Sequence, residues 1–201
     1  MESVAKNKIL TTEQVIAELN KKGIDRTNWG VDPWRSFEDL MTYHTRDQLD
    51  FVLNDEPGLT IEVHAKVIHI YYLHKSLGWL ELYEDHQVGR DKKILRRDFN
   101  GIAETKKRNE DSLESARRCL KEELGWDDPS KYQLTSYVEL EIQDPKPSEK
   151  WENVTARYFR NKRWCLITDE LYFDSYCEND NGRFIHFKWR PGKDPNLRIA
   201  A

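Results

Sequence analysis

The chain has 201 residues, of which 38% are hydrophobic, 11% aromatic and 34% charged, with a net charge of -4. That length is most simply one domain with a terminal extension, with enough apolar residues for a core. No apolar run approaches the length of a membrane span, the N-terminal MESVAKNKIL lacks the apolar stretch of a secretory leader, and the acidic balance argues against a large nucleic-acid surface.

In chain order, Thr12 to Lys22 reads as a short helix, with Thr11 and Gln14 as a capping box and Gly23 as its end. Residues 24 to 35 are irregular. Ser36 caps a second helical region from Phe37 to about Leu53, with a break near Thr45, and Asn54 to Gly58 is a stop. Thr60 to His74 alternates as a long strand, with Ile61, Val63, Ala65, Val67, His69, Tyr71 and Leu73 on one side. A turn at Ser76 to Gly78 leads to a strand from Trp79 to Glu84. A second turn, Gly89 to Lys93, precedes a strand from Ile94 to Ile102. After a helix come a strand from Lys131 to Gln143, with Leu134, Val138, Leu140 and Ile142 on one side, and a loop from Asp144 to Asn153. Strands from Thr155 to Ile167 and Phe184 to Trp189 complete the reading. Strands, one central helix and more strands give an α+β arrangement. Cys119, Cys165 and Cys177 make no disulfide framework and no paired metal spacing, so a soluble protein of the reducing cytoplasm is expected.

The helix covers residues 111 to 124. Asp111 or Ser112 caps it, Glu114 lies in its first turn and Gly125 stops it. Leu113, Ala116, Leu120 and Leu124 form an apolar stripe. Ser115, Arg118, Cys119, Glu122 and Glu123 lie off that stripe, where two adjacent carboxylates supply the oxygens that Mg²⁺ prefers. Basic runs at Lys92 to Arg97 and Lys106 to Arg108 suit a phosphate-bearing ligand.

From residue 104 to 126, ETKKRNEDSLESARRCLKEELGW resembles the Nudix box. That pattern is Gly, five residues, Glu, seven residues, Arg-Glu-apolar, one residue, Glu-Glu, one residue, Gly-apolar. Glu110 stands at the first Glu, Arg118 at the Arg, Leu120 at the apolar position, Glu122 and Glu123 at the pair, and Gly125 and Trp126 at the close. Glu104 replaces the opening Gly and Cys119 replaces the Glu after the Arg. The resemblance extends to a divergent branch whose box opens with Glu and carries a small residue after the Arg. It implies an α/β/α sandwich with a mixed sheet in residues 58–201, and a helical extension in residues 1–57. That extension either packs on the domain or builds a homodimer interface.

The same resemblance implies hydrolysis of a nucleoside-diphosphate-linked or similar small molecule, dependent on Mg²⁺ or Mn²⁺. Glu122 and Glu123 would hold the metal, and Glu122, Glu123, Arg118 and Cys119 would form the catalytic set. Arg118 would brace Glu110, with Arg96, Arg97 and Glu110 at the substrate. A thiol is a poor ligand for a hard cation, and losing a positioned base typically costs roughly 10²- to 10⁴-fold. Three readings follow: a hydrolase whose base has moved to a later loop, with Glu149 or Glu152 in place; a module that binds or regulates through a diphosphate without cutting it; or an enzyme akin to isoprenoid diphosphate isomerases, which use a Cys and a Glu. A thiolate nucleophile at Cys119 is disfavoured, because the neighbouring carboxylates would raise its pKa. His64, His69 and His74 alternate in parity along one strand and form no metal cluster. Trp164, Cys165, Phe184, Phe187 and Trp189 read as core or sheet-face residues.

Overall fold

A computed structural model describes residues 10–31, 34–46, 48–53, 58–107, 110–136, 138–180 and 182–195. Its contacts group the chain into two compact units. One holds residues 1–65, 105–109 and 141–160, and the other residues 66–104, 110–140 and 161–201. The expected stop at Asn54 to Gly58 lies, up to residue 57, outside the described residues.

In the first unit, α1 (Thr12–Lys21) starts at a reciprocal cap: Thr11 Oγ1 accepts from Gln14 N at 3.3 Å and Gln14 Oε1 accepts from Thr11 N at 2.9 Å. Helix α2 (Phe37–Thr45) starts likewise at Ser36 and Asp39. It stops at Thr45, and the segment expected to continue it is instead strand β1 (Leu49–Val52). Here the β-branched and aromatic residues of LDFV pair antiparallel with β2 (Leu59–His74), Leu49 opposite Val63. Val15, Leu19, Leu40, Phe51, Ile61, Val63 and Trp151 share one core. The helices read as an extension thus share a core with a strand pair and with the segment around Trp151.

The second unit contains β3 (Gly78–Val88), β4 (Ile94–Asn100), α3 (Ser112–Leu124), β6 (Tyr132–Leu134), β10 (Ser175–Asp180) and β11 (Arg183–Pro191). It also takes the second parts of β2 and of β9 (Val154–Ile167), and most of β5 (Ile102–Thr105). The strand order is β10-β11-β3-β2-β9-β6, with β4 against β3 and β5 against β2. Strands β7 (Glu139–Ile142) and β8 (Lys146–Pro147) pair with β9. The sheet with its few helices is of the α+β kind. Gly101 separates β4 from β5. Its φ is 81°, and a Cβ there would fall 2.0 Å from the Ile68 carbonyl oxygen, so only glycine fits.

Burial corrects three expectations. Along β2 the core face is odd-numbered at Ile61 and Val63 but even-numbered at Ile68, Ile70 and Tyr72, while Leu73 is exposed. Val67 and Tyr71 are buried as well, so alternation is lost where both faces are covered. Leu140 and Ile142 are exposed, and the segment expected to be one long strand holds two short ones, Tyr132–Leu134 and Glu139–Ile142. On α3 the buried residues are Ser115, Ala116, Cys119 and Leu120. The buried stripe is rotated from the expected one and takes in Cys119. No helix among the described residues is long and apolar enough to cross a membrane.

Candidate functional site

The site is organised by α3. Asp111 Oδ1 accepts from the Leu113 and Glu114 amides at 2.7 and 3.1 Å, satisfying two orphan donors. Gly125, at φ 72°, closes the other end, with Trp126 N bonded to the Leu120 carbonyl. Ala116, Cys119 and Leu120 dock on Ile68, Ile70, Leu82, Ile102, Cys165 and Phe187, which fixes where the other faces of the helix point.

One face carries an ion-pair brace. Arg118 donates from Nε and Nη2 to the two oxygens of Glu110 at 2.7 and 3.0 Å, and from Nη1 to Glu122 Oε2 at 2.6 Å. Two-pronged charged bonds of this kind hold both partners in a fixed plane. They also push the Arg118 pKa above its ordinary value, the Glu110 hydrogen bond being the main cause. Glu122 is thus committed to Arg118, and its side chain is half exposed.

Glu123 points elsewhere. It is hydrogen-bonded to Glu178 on β10 and to Glu104 on β5. Burial raises its pKa far above the ordinary carboxylate value, and the charges of Glu178 and Glu104 raise it further. Glu178 is also raised, chiefly by burial. Carboxylates crowded together away from water resist ionising together, and the crowding favours the protonated form of Glu123. Glu178 Oε2 is itself buried without a hydrogen-bond partner. The two carboxylates expected to hold a metal thus make different contacts, Glu122 with Arg118 and Glu123 with Glu178 and Glu104.

Cys119 is fully buried in the core, and burial followed by the Glu123 and Glu104 charges raises its thiol pKa well above the ordinary value. Arg96 and Arg97 lie exposed on β4 and pair with Asp85 at 3.8 Å and Glu84 at 3.7 Å. Glu149 pairs with Lys146 at 2.8 Å, and Glu152 accepts from Asn28 at 2.8 Å. Both belong to the first unit, and the carboxyl group of three to the second. His64 pairs with Asp50, His69 with Glu81, and His74 accepts from the Ser76 and Leu77 amides, so each histidine is engaged separately. Trp164, Cys165 and Phe187 are buried, while Phe184 is exposed. Of the basic run Lys106 to Arg108, Arg108 lies outside the described residues.

Glu178 is the residue the sequence pattern did not single out. It sits in YCEND, where glutamate, asparagine and aspartate speak against a strand. Glu104 stood in view as the departure from the box's opening Gly.

No group of three or more His, Cys, Asp or Glu side chains among the described residues is spaced as a ready metal cage. The donor chemistry nonetheless fits a hard dication. Glu104, Glu123 and Glu178 offer only oxygens, one of them buried and unpartnered.

No family model matches the chain, and no curated protein matches it. Two solved structures are similar to it. One, described as a NUDIX hydrolase of Listeria monocytogenes, is 14% identical and aligns over 68% of this chain and 81% of its own, at a TM-score of 0.27. The other, a MutT/nudix family protein of Enterococcus faecalis, is 14% identical over 77% of this chain, at a TM-score of 0.29. This chain spans half of its length. Likeness at this level adds nothing to the account of the site, which stands on the geometry above.

Proposed function

We propose that the protein is a divergent Nudix-type hydrolase that cleaves a diphosphate linkage in a small molecule, with Mg²⁺ or Mn²⁺ held by Glu123, Glu104 and Glu178. The observation that carries this reading is the buried Glu123 carboxyl bonded to two further carboxyls on a capped helix. Buried like charges are costly, so their convergence calls for a cation. A dication bound there would neutralise charge on the phosphoryl oxygens.

The chain's own residues divide the remaining work. Glu104 and Glu178 supply the oxygens that the box loses at Cys119, from β5 and β10 rather than from the helix. Glu178, with an oxygen left over, accepts a proton from the attacking water. Arg118 keeps Glu110 and Glu122 fixed on the adjacent face and so holds the segment before the helix in register.

The test is a phosphate-release panel on the purified protein. It uses nucleoside diphosphate sugars, dinucleotide polyphosphates and isoprenoid diphosphates, each with Mg²⁺ or with EDTA. Metal-dependent release that Glu123→Gln lowers at least roughly 10²-fold supports the reading. Ligand-induced stabilisation without release would instead make the chain a diphosphate-binding module. Consumption of an isoprenoid diphosphate without release would make it an isomerase.

A further inference from the structure

The strand register sorts the side chains beyond α3 onto two faces. Across β10, β11, β3 and β4, Glu178 stands opposite Ile185, Ile185 opposite Gln87, and Gln87 opposite Leu95. Directly paired residues share a face of the sheet. Ile185 belongs to the core under α3, so this row lies on the face of the carboxyl group of three. The next row, Cys177, His186, His86 and Arg96, lies on the other face. Arg96 is thus directed away from Glu178, and its partner Asp85 also binds His86 at 2.9 Å.

Arg183 and Arg97 keep to the near face. Arg183, two residues before Ile185 on β11, donates from Nη2 to Asp180 and from Nη1 to Gln87 Oε1 at 3.4 Å. Gln87 Nε2 donates to Glu84 Oε1 at 2.8 Å, and Arg97 Nε stands 3.7 Å from the same oxygen. Gln87 and Glu84 are buried, whereas the side chains of Arg183 and Arg97 are 38% and 40% exposed. A buried, hydrogen-bonded pair therefore carries one guanidinium on each side, open to solvent. A guanidinium has five N–H donors in a fixed fork, and the two contacts of Arg183 leave others to spare. Burial is the main cause that raises the Glu178 pKa, and the Arg183 charge opposes that rise. Arg183 thus acts on the carboxyl group from the adjacent strand.

We propose that Arg183, with Arg97 beyond it, binds the phosphoryl group of the substrate that the metal at Glu123, Glu104 and Glu178 does not hold, an inference that rests on the hydrolase reading for that metal. Neighbouring strands are about 4.8 Å apart. Arg183 on β11 therefore stands one strand from Glu178 on β10, a span that a diphosphate bridges. The planar fork of an arginine meets phosphate oxygens two at a time, which a lysine cannot do. Asp180 holds the fork from one side and Gln87 from the other. Arg96, on the far face, is the internal control.

The experiment is isothermal titration calorimetry of the full chain in Mg²⁺ with methylenediphosphonate, a diphosphate analogue whose bridge is not hydrolysed. Arg183→Gln is expected to weaken binding roughly tenfold or more and Arg183→Lys at least about threefold, while Arg96→Gln changes it less than about twofold. A change under about threefold for Arg183→Gln overturns the proposal, as does an equal loss from Arg96→Gln or the absence of saturable binding by the unmodified protein. If Arg183→Gln does not fold, Arg183→Lys decides at the same limit. Phosphate release is measured alongside. Binding that depends on Arg183, in a protein that releases phosphate from no diphosphate compound, keeps this inference and overturns the hydrolase reading. Release that Arg183→Gln leaves at an unchanged KM keeps the hydrolase reading and overturns this inference.

Discussion

Arg118 grips Glu110 with two parallel bonds, Nε to Oε1 at 2.7 Å and Nη2 to Oε2 at 3.0 Å. A lysine keeps the charge but not the fork. Arg118→Lys is expected to cost roughly 1.5–3 kcal/mol of stability, the range for charged hydrogen bonds, read as a lower urea midpoint with an unchanged slope. Glu110→Gln should cost less than Arg118→Lys, because it leaves one acceptor in place. Equal losses would mean that the fork contributes no more than a point charge.

Cys119 fills a fully buried position between the core residues of α3. Cys119→Glu rebuilds the box on paper, but it would drive a carboxylate into the core. The expected result is a loss of about 3 kcal/mol or more at neutral pH, partly recovered in acid, and no gain in phosphate release. Cys119→Ala should be tolerated with a loss of about 1–2 kcal/mol. A more active and equally stable Cys119→Glu protein would show that this helix face opens to ligand.

Glu123 sets the pH dependence of the metal-free protein. Its folded pKa lies above its ordinary value of 4.5, so the folded state holds the proton more tightly than the unfolded chain. The associated stability is complete below about pH 4.5 and is lost progressively as pH rises from there to the folded pKa of about 11. Glu123→Gln removes this loss. Its melting temperature in EDTA at pH 8 should exceed that of the unmodified protein, by about 2–4 °C per kcal/mol relieved. A lower melting temperature at pH 8 would place the charged form of Glu123 in a favourable setting.

Asp85 shows the opposite sign. Hydrogen bonds from Lys188 and His86 hold its pKa down at about 2, from 3.8. Its contribution is present above pH 3.8 and is lost as pH falls towards 2. Asp85→Asn should therefore flatten the acid side of the stability profile without changing the alkaline side. An unaltered acid limb would remove Asp85 from the account.

Much of this was legible in the residues. Capping chemistry is local, so Thr11 with Gln14, Ser36, and Asp111 with Gly125 mark the helix ends directly. The spacing from Glu110 to Arg118 marks a pair that the fold brings to 2.7 Å. Long-range choices were not legible. The segment LDFV continues a helical pattern until β2 offers it backbone partners. Periodicity cannot tell which face of α3 meets the sheet when Cys119 is as apolar as the leucines. Glu178 becomes a neighbour of Glu123 only through the packing of β10 against α3.

The most direct measurement is Mn²⁺ binding followed by electron paramagnetic resonance, with Glu122→Gln and Glu123→Gln compared against the unmodified protein. Glu123→Gln is expected to weaken binding at least roughly tenfold, whereas Glu122→Gln, which removes only a partner of Arg118, should change it less than about threefold. Equal losses from the two substitutions, or no saturable Mn²⁺ binding at all, would contradict a metal centred on Glu123, Glu104 and Glu178.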